Sequence, residues 1–150
     1  MALDQVTKAL VVRYLPLHEG VNVVPGLVDF THVRNTGAAF GLLNAADFPY
    51  KPVAITVVAV LALLAIAAYA SQFATGSWWA RIGVTLVVSG ALGNLVDRAR
   101  QGYVVDFVDV YWRGWHFWAF NVADAAITLG AIALALDILL SGRRHASAAV

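Results

Sequence analysis

Four aspartates lie between Gly93 and Asp124, in a chain of 150 residues with only nine acidic side chains. Two of them close the same short pattern, Asn94-x-x-Asp97 and Asn121-x-x-Asp124. At a spacing of i, i+3 the amide and the carboxylate share one helical face, and Thr128 extends the second polar stripe. Asp106 falls between the two patterns, with Asp109 three residues later. Each stripe sits near the end of an apolar segment, so carboxylates from separate segments can meet at one membrane surface. Two aspartates close together cannot both ionise cheaply and therefore share a proton. The charged partner can take a proton from water while the neutral one donates to a carbonyl oxygen, which is peptide hydrolysis without a covalent intermediate. For Asp106 and Asp124 the pattern leaves a catalytic pair and an ion or proton path equally open. The path reading makes the chain a transporter or channel. No inverted repeat or broken helix supports that class, and a non-catalytic membrane assembly factor is a further alternative.

Other chemistries find little material. There is no cysteine, which removes disulfides, thiol nucleophiles and zinc–thiolate sites. The four histidines, His18, His32, His116 and His145, show no metal-ligand spacing, so neither a metal nor a cofactor is expected. The serines lack a nucleophile elbow. No basic stripe with interleaved aromatics points to nucleic acid. Several polar residues read as structural. Asp97 is expected to pair with its neighbour Arg98, and Asp4 with Lys8 at i, i+4. Asp109 reads as a solvated loop residue and Asp137 as an interfacial one.

The elements that must hold these groups are apolar. Hydrophobic residues make up 61% of the chain and charged ones 13%, against about 45–50% and 25% in ordinary soluble domains. A carboxylate in such a setting costs about 2.5–3.5 kcal/mol at a helix centre, so its presence asks for a function. The length suits a single membrane-embedded unit, residues 1–150. Four helices are expected at roughly 1–17, 53–70, 82–98 and 119–140. The first is short for a span and reads as tilted or as lacking preceding residues. No cleavable signal peptide is visible ahead of Asp4.

Residues 18–50 read as a β-rich extramembrane element. It has a turn at Pro25-Gly26, a strand over Val28–Val33, a second turn at Asn35-Thr36-Gly37, and the small apolar run Ala38–Gly41. Gly76 breaks a loop over Ser71–Ala80, where Trp78 and Trp79 serve as interfacial anchors. Arg100–Trp115 reads as a polar and aromatic loop. Trp112, Trp115, Phe117, Trp118 and Phe120 form an interfacial belt. The fold class is thus an all-α polytopic membrane protein with a small β appendage. Arg143 and Arg144 argue for a cytoplasmic C-terminus, whereas the remaining Lys and Arg count points the other way.

Taken in order, Asp4-Gln5-Val6-Thr7-Lys8, Asn35-Thr36-Gly37-Ala38-Ala39-Phe40-Gly41, Gly93-Asn94-Leu95-Val96-Asp97-Arg98, Val105-Asp106-Phe107 and Phe120-Asn121-Val122-Ala123-Asp124 resemble the successive motifs of bacterial lipoprotein signal peptidase, or signal peptidase II. The resemblance implies a four-helix aspartic endopeptidase of the bacterial inner membrane. Such an enzyme removes the signal peptide from a diacylglyceryl-modified prolipoprotein, just before the lipidated cysteine. It implies Asp106 and Asp124 as the catalytic dyad, supported by Asn35, Gly37, Asn94, Asp97, Arg98 and Asn121, with Asp4 and Lys8 in the first helix. The Asn side chains on helical faces would hold the substrate backbone. The substrate's lipid chains would lie in the bilayer between helices. The catalytic face would be extracytoplasmic and the C-terminus cytoplasmic. The expected partners are the lipid-modified prolipoprotein and membrane lipids, and the chain itself is expected to act as a monomer.

Overall fold

The structure, a computed structural model, describes residues 1–37, 48–72 and 77–147. The expected small apolar run Ala38–Gly41 and the breaker Gly76 lie outside these residues. Four helices and one four-stranded antiparallel sheet follow in the order α1 (Ala2–Tyr14), β1 (Gly20–Val24), β2 (Val28–Asn35), α2 (Lys51–Gln72), α3 (Trp78–Gln101), β3 (Val104–Trp112), β4 (Trp115–His116) and α4 (Val122–Ser147).

Local chemistry sets the helix ends. Leu15 leaves α1 in an extended conformation, as expected of a residue before proline, here Pro16. The Ser77 hydroxyl accepts from the Ala80 N–H at 3.3 Å and caps α3. At the other end of α3, Gly102 adopts φ 79° and returns its N–H to Arg98 O at 3.0 Å, the left-handed stop that glycine supplies without strain. Among the described residues, two helices are long and apolar enough to cross a membrane, Trp78–Gln101 and Val122–Leu140, while α2 offers a shorter apolar stretch, Lys51–Ile66. The 13 residues of α1 reach only about 20 Å against a hydrocarbon core of about 30 Å. The expectation of four spans is therefore met by two of the helices.

The segment read as a polar and aromatic loop contains a nine-residue strand, β3, at the centre of the sheet. Its valines are strong strand formers, and Asp106 and Asp109 interrupt the apolar run enough to hide it. Strand β2 runs two residues past the expected alternation, to Asn35. It pairs with β3 through Val28↔Val110, Asp29↔Asp109 and Phe30↔Val108. After a bulge the pairing resumes at Val33↔Asp106, Arg34↔Val105 and Asn35↔Val104. Strands β3 and β4 join through Arg113 and Gly114, both at positive φ, the two-residue hairpin geometry that matches strand twist. The inner end of the sheet packs Val105 and Phe107 against Val11 and Leu15 of α1.

Helices α3 and α4 approach closely because small residues face each other. A Cβ on Gly90 would fall 2.4 Å from Ala123 O and 2.9 Å from Ile127 Cγ1, and one on Gly130 would fall 2.7 Å from Gly83 O. This is the small-residue packing by which membrane helices bring backbones together. Gly90 therefore sets the position of the first turn of α4. Replacing it with Ala forces the helices apart and should cost about 1–3 kcal/mol, seen as a lower thermal unfolding midpoint in micelles.

Candidate active site

The first turn of α4 is held by a reciprocal cap. Asn121 precedes the helix, and its Oδ1 accepts from the Asp124 N–H at 3.0 Å. Asp124 Oδ2 accepts in return from the Asn121 N–H at 3.2 Å. This is the capping-box arrangement with Asp in the third helical position. A second carboxylate reaches the same turn from α1, where Asp4 Oδ1 accepts from the Ala123 N–H at 3.0 Å. Anions at a helix N-terminus are favoured by the free N–H groups and the helix dipole.

Asn121 is fully buried, and its Nδ2 faces Asp106 Oδ1 at 2.6 Å, Asn94 Oδ1 at 3.2 Å and Val105 O at 3.3 Å. One side chain thus touches Asp106 of β3 while its own backbone binds Asp124. The remaining oxygens are met from two other elements. Asn35 Nδ2 at the end of β2 donates to Asp106 Oδ2 at 2.9 Å, and Asn94 Nδ2 of α3 donates to Asp124 Oδ1 at 2.8 Å.

Each amide has its orientation imposed by a group that can only donate. Asn35 Oδ1 accepts from the Gly37 N–H at 2.9 Å, Asn121 Oδ1 from the Asp124 N–H, and Asn94 Oδ1 from the Lys8 ammonium at 2.9 Å. With the oxygens committed, the NH₂ groups must face the carboxylates. Asn94 and Asn121 are buried and engaged in this way. Both amides therefore support the carboxylates.

Lys8 is 3% exposed and joins α1 to α3. Its Nζ lies 3.0 Å from Asp4 Oδ2, 2.8 Å from Asp97 Oδ2 and 2.9 Å from Asn94 Oδ1. The expected Asp4–Lys8 pair is present, but Asp97 does not pair with Arg98. It faces Lys8, accepts from Gln5 Nε2 at 2.9 Å, and lies 3.4 Å from the Val105 N–H. Sequence adjacency misled here because neighbouring helical residues point in different directions. Arg98 Nη2 donates instead to Gly37 O at 2.9 Å.

Gln5 was not singled out by sequence. Its Nε2 donates to Asp4, to Asp97 and to Gly93 O. The available signal was a polar amide one residue from Asp4 in an apolar helix. Gly93 leaves room for this cluster, since a Cβ there would stand 2.6 Å from Asp4 Oδ2.

Two aspartates lie apart from the site. Asp109 is on β3, not in a loop, and accepts from or shares a proton with His116 Nδ1 at 2.8 Å. Asp137 accepts from the Ser77 hydroxyl, tying α4 to the start of α3. Burial pushes the Asp106 carboxyl up from 3.8 to about 7. The charge of Asp124 adds to this, while the hydrogen bonds from Asn35 and Asn121 and the charge of Lys8 oppose it. Among the described residues no group of three His, Asp or Glu is placed to hold a metal ion.

Removing one partner from a buried charge cluster leaves the others uncompensated, typically at about 3–5 kcal/mol. Lys8→Met should therefore lose stability on this scale in a denaturant or thermal unfolding experiment. Adding Asp97→Asn should restore part of the loss, because it removes one of the orphaned charges.

The family profile described as "Signal peptidase (SPase) II" matches residues 1–140. A lipoprotein signal peptidase of Geobacter sulfurreducens is 44% identical over 146 residues, covering 97% of this chain and 90% of that one. A lipoprotein signal peptidase of Syntrophotalea carbinolica is 45% identical over 145 residues, covering 97% and 89%. A bacterial membrane enzyme solved by the in meso method at 2.3 Å resolution superposes with a TM-score of 0.82 at 30% identity, covering 94% of this chain and 83% of that one. A second such structure, at 1.9 Å, gives 0.82 at 28% identity, covering 92% and 86%. With two apolar helices long enough to cross a bilayer, these likenesses describe an integral membrane protein. The chain belongs to the signal peptidase (SPase) II family.

Proposed function

We propose that this chain is an aspartic endopeptidase that removes the signal peptide from diacylglyceryl-modified prolipoproteins, with Asp106 and Asp124 as the catalytic dyad. The observation that carries the reading is Asn121, whose side chain binds Asp106 at 2.6 Å while its backbone N–H binds Asp124 at 3.2 Å. A single rigid residue thereby fixes both carboxylates relative to each other, which is what a proton-sharing pair requires. The family supports a prolipoprotein substrate. Cleavage just before the lipidated cysteine belongs to the same reading.

In the reaction, one carboxylate takes a proton from water as its oxygen attacks the scissile carbonyl carbon. The carboxyl that carries the shared proton gives it to the carbonyl oxygen, forming a neutral gem-diol. Collapse breaks the C–N bond as the dyad gives a proton to the departing amine and takes one back from a gem-diol hydroxyl, leaving a carboxylic acid. The dyad then again holds one proton, and no covalent enzyme intermediate forms. The chain is read as one unit, residues 1–150, whose four helices lie in the bacterial inner membrane. The active site is extracytoplasmic, the C-terminus cytoplasmic, and the protein acts as a monomer on a substrate whose lipid chains stay in the bilayer.

Two measurements test this. Asp106→Asn and Asp124→Asn should each lower the turnover of a lipid-modified prolipoprotein by at least about a thousand-fold while the protein still accumulates in the membrane. Substantial residual turnover in either variant would sink the assignment. The second measurement is the pH profile. The shared proton is lost as pH rises through the Asp106 value of about 7, so kcat should fall on the alkaline side of neutrality. The same group links stability to pH with a defined sign. Its contribution is present in full below its ordinary value of 3.8 and is lost as pH rises towards about 7. Asp106→Asn should remove that part of the pH dependence of unfolding.

A further inference from the structure

Val105 and Ala123 immediately precede Asp106 and Asp124 in the chain, and each is tied to a carboxylate of another element. The Val105 N–H lies 3.4 Å from Asp97 Oδ2 of α3, and the Ala123 N–H donates to Asp4 Oδ1 of α1 at 3.0 Å. All four of these residues are buried. A single rigid peptide plane separates each anchored residue from its aspartate. The separation of Asp4 from Asp97 therefore bears directly on the separation of Asp106 from Asp124.

Two like charges in one buried cluster repel unless donors stand between them. Lys8 Nζ is one such donor, 3.0 Å from Asp4 Oδ2 and 2.8 Å from Asp97 Oδ2. Gln5 Nε2 is the other. It lies 3.1 Å from Asp4 Oδ2, 2.9 Å from Asp97 Oδ1 and 3.2 Å from Gly93 O. All three neighbours are acceptors, so the amide must present its NH₂ and not its oxygen. The Gly93 contact also fixes the amide against the backbone of α3.

The two bridges differ in what their loss does. Lys8 supplies the positive charge of the cluster, so removing it leaves buried carboxylates uncompensated. Gln5 is neutral. Removing it leaves both carboxylates paired with Lys8 and releases only the tie between Asp4 and Asp97 Oδ1.

We infer that Gln5 is a positioning residue of the dyad: its amide fixes the separation of Asp4 and Asp97, and the Ala123 and Val105 N–H groups transmit that separation to Asp124 and Asp106. The inference rests on the dyad proposed above. Gln5 touches neither carboxylate of the dyad and acts through the four buried residues between them.

The test separates position from stability by measuring kcat, KM and the unfolding midpoint together, in micelles, on a lipid-modified prolipoprotein. Gln5→Met keeps the length of the side chain and loses the donor. It should lower kcat about ten- to a hundredfold with KM within about twofold of the parent, since a misplacement on the order of 1 Å can cost about a hundredfold. Gly83→Ala is the comparison. It lies about three turns from Asn94 on α3, and its Cβ would stand 2.7 Å from Leu134 Cγ and 2.9 Å from Gly130 O. It should lower the midpoint at least as far as Gln5→Met does and leave kcat unchanged. Should Gln5→Met fail to accumulate in the membrane, Gln5→Asn carries the same test, because its shorter amide cannot reach both carboxylates.

Three results would overturn the inference: a kcat within about twofold of the parent in the Gln5 variant, a rise in KM alone, or an equal fall of kcat in Gly83→Ala. Asp106→Asn is measured beside them. If it is inactive, the dyad stands and such a result tells against Gln5 only. If it is active, the dyad fails and the role of Gln5 fails with it.

Discussion

An ammonium can only donate hydrogen bonds, and the Lys8 ammonium is buried where three acceptors surround it. Everything at the site follows from that restriction. The third acceptor must be Asn94 Oδ1, so the Asn94 NH₂ must turn to Asp124. The other two carboxyl–amide contacts obey the same logic with backbone N–H groups in place of the ammonium. The arrangement leaves each oxygen of Asp106 and Asp124 with one donor and a free lone pair. This holds the pair rigidly without saturating its oxygens among the described residues. The charges behind the amides are not free of cost, since burial of ions is weakly stabilising at best. Their value here is geometric. Asp4, Lys8 and Asp97 lock α1 and α3 together at the point where Asp4 also caps α4.

The sequence disclosed the carboxylates and their amides because helical spacing is a local property. Asn94 with Asp97 and Asn121 with Asp124 are legible as stripes without any tertiary knowledge, and the ordered motifs supplied their family. Partners were another matter. Lys8 and Asn94 stand 86 residues apart, so no periodicity links them, and the nearest cation in sequence, Arg98, drew attention away from the true one. Strand β3 was missed because its pattern is ambiguous on its own. Val104, Asp106, Val108 and Val110 become one face only once β2 and β4 pair on either side. The Asx turn at Asn35 was visible as a turn, but its function as a switch on amide orientation needed Gly37 in place.

Helix α4 shows how one local device serves two levels. Its cap satisfies N–H groups that any helix start must satisfy, and Asp124 is a member of that cap. The position of the carboxylate is thereby set by secondary structure and not by a rotamer choice. Asp106 gains equal definition differently, by lying in the central strand between two paired neighbours. Two carboxylates held by one helix terminus and one paired strand draw on two stiff backbone settings.

The bulge in β2 between Phe30 and Val33 acts as a one-residue phase shift. Side-chain direction in a strand has period two. Upstream of the bulge, β2 alternates in step with an all-apolar face. Downstream, the added residue brings Val33 opposite Asp106 and sets Asn35 on the side where Asp106 lies. Carry the upstream pairing forward without the extra residue, and Arg34 would fall opposite Val104, facing the carboxylates, while Asn35 turned away. A permanent cation would then stand where a neutral amide now donates, and it would favour the ionised carboxylates. One inserted residue thus decides whether an amide or a guanidinium meets Asp106.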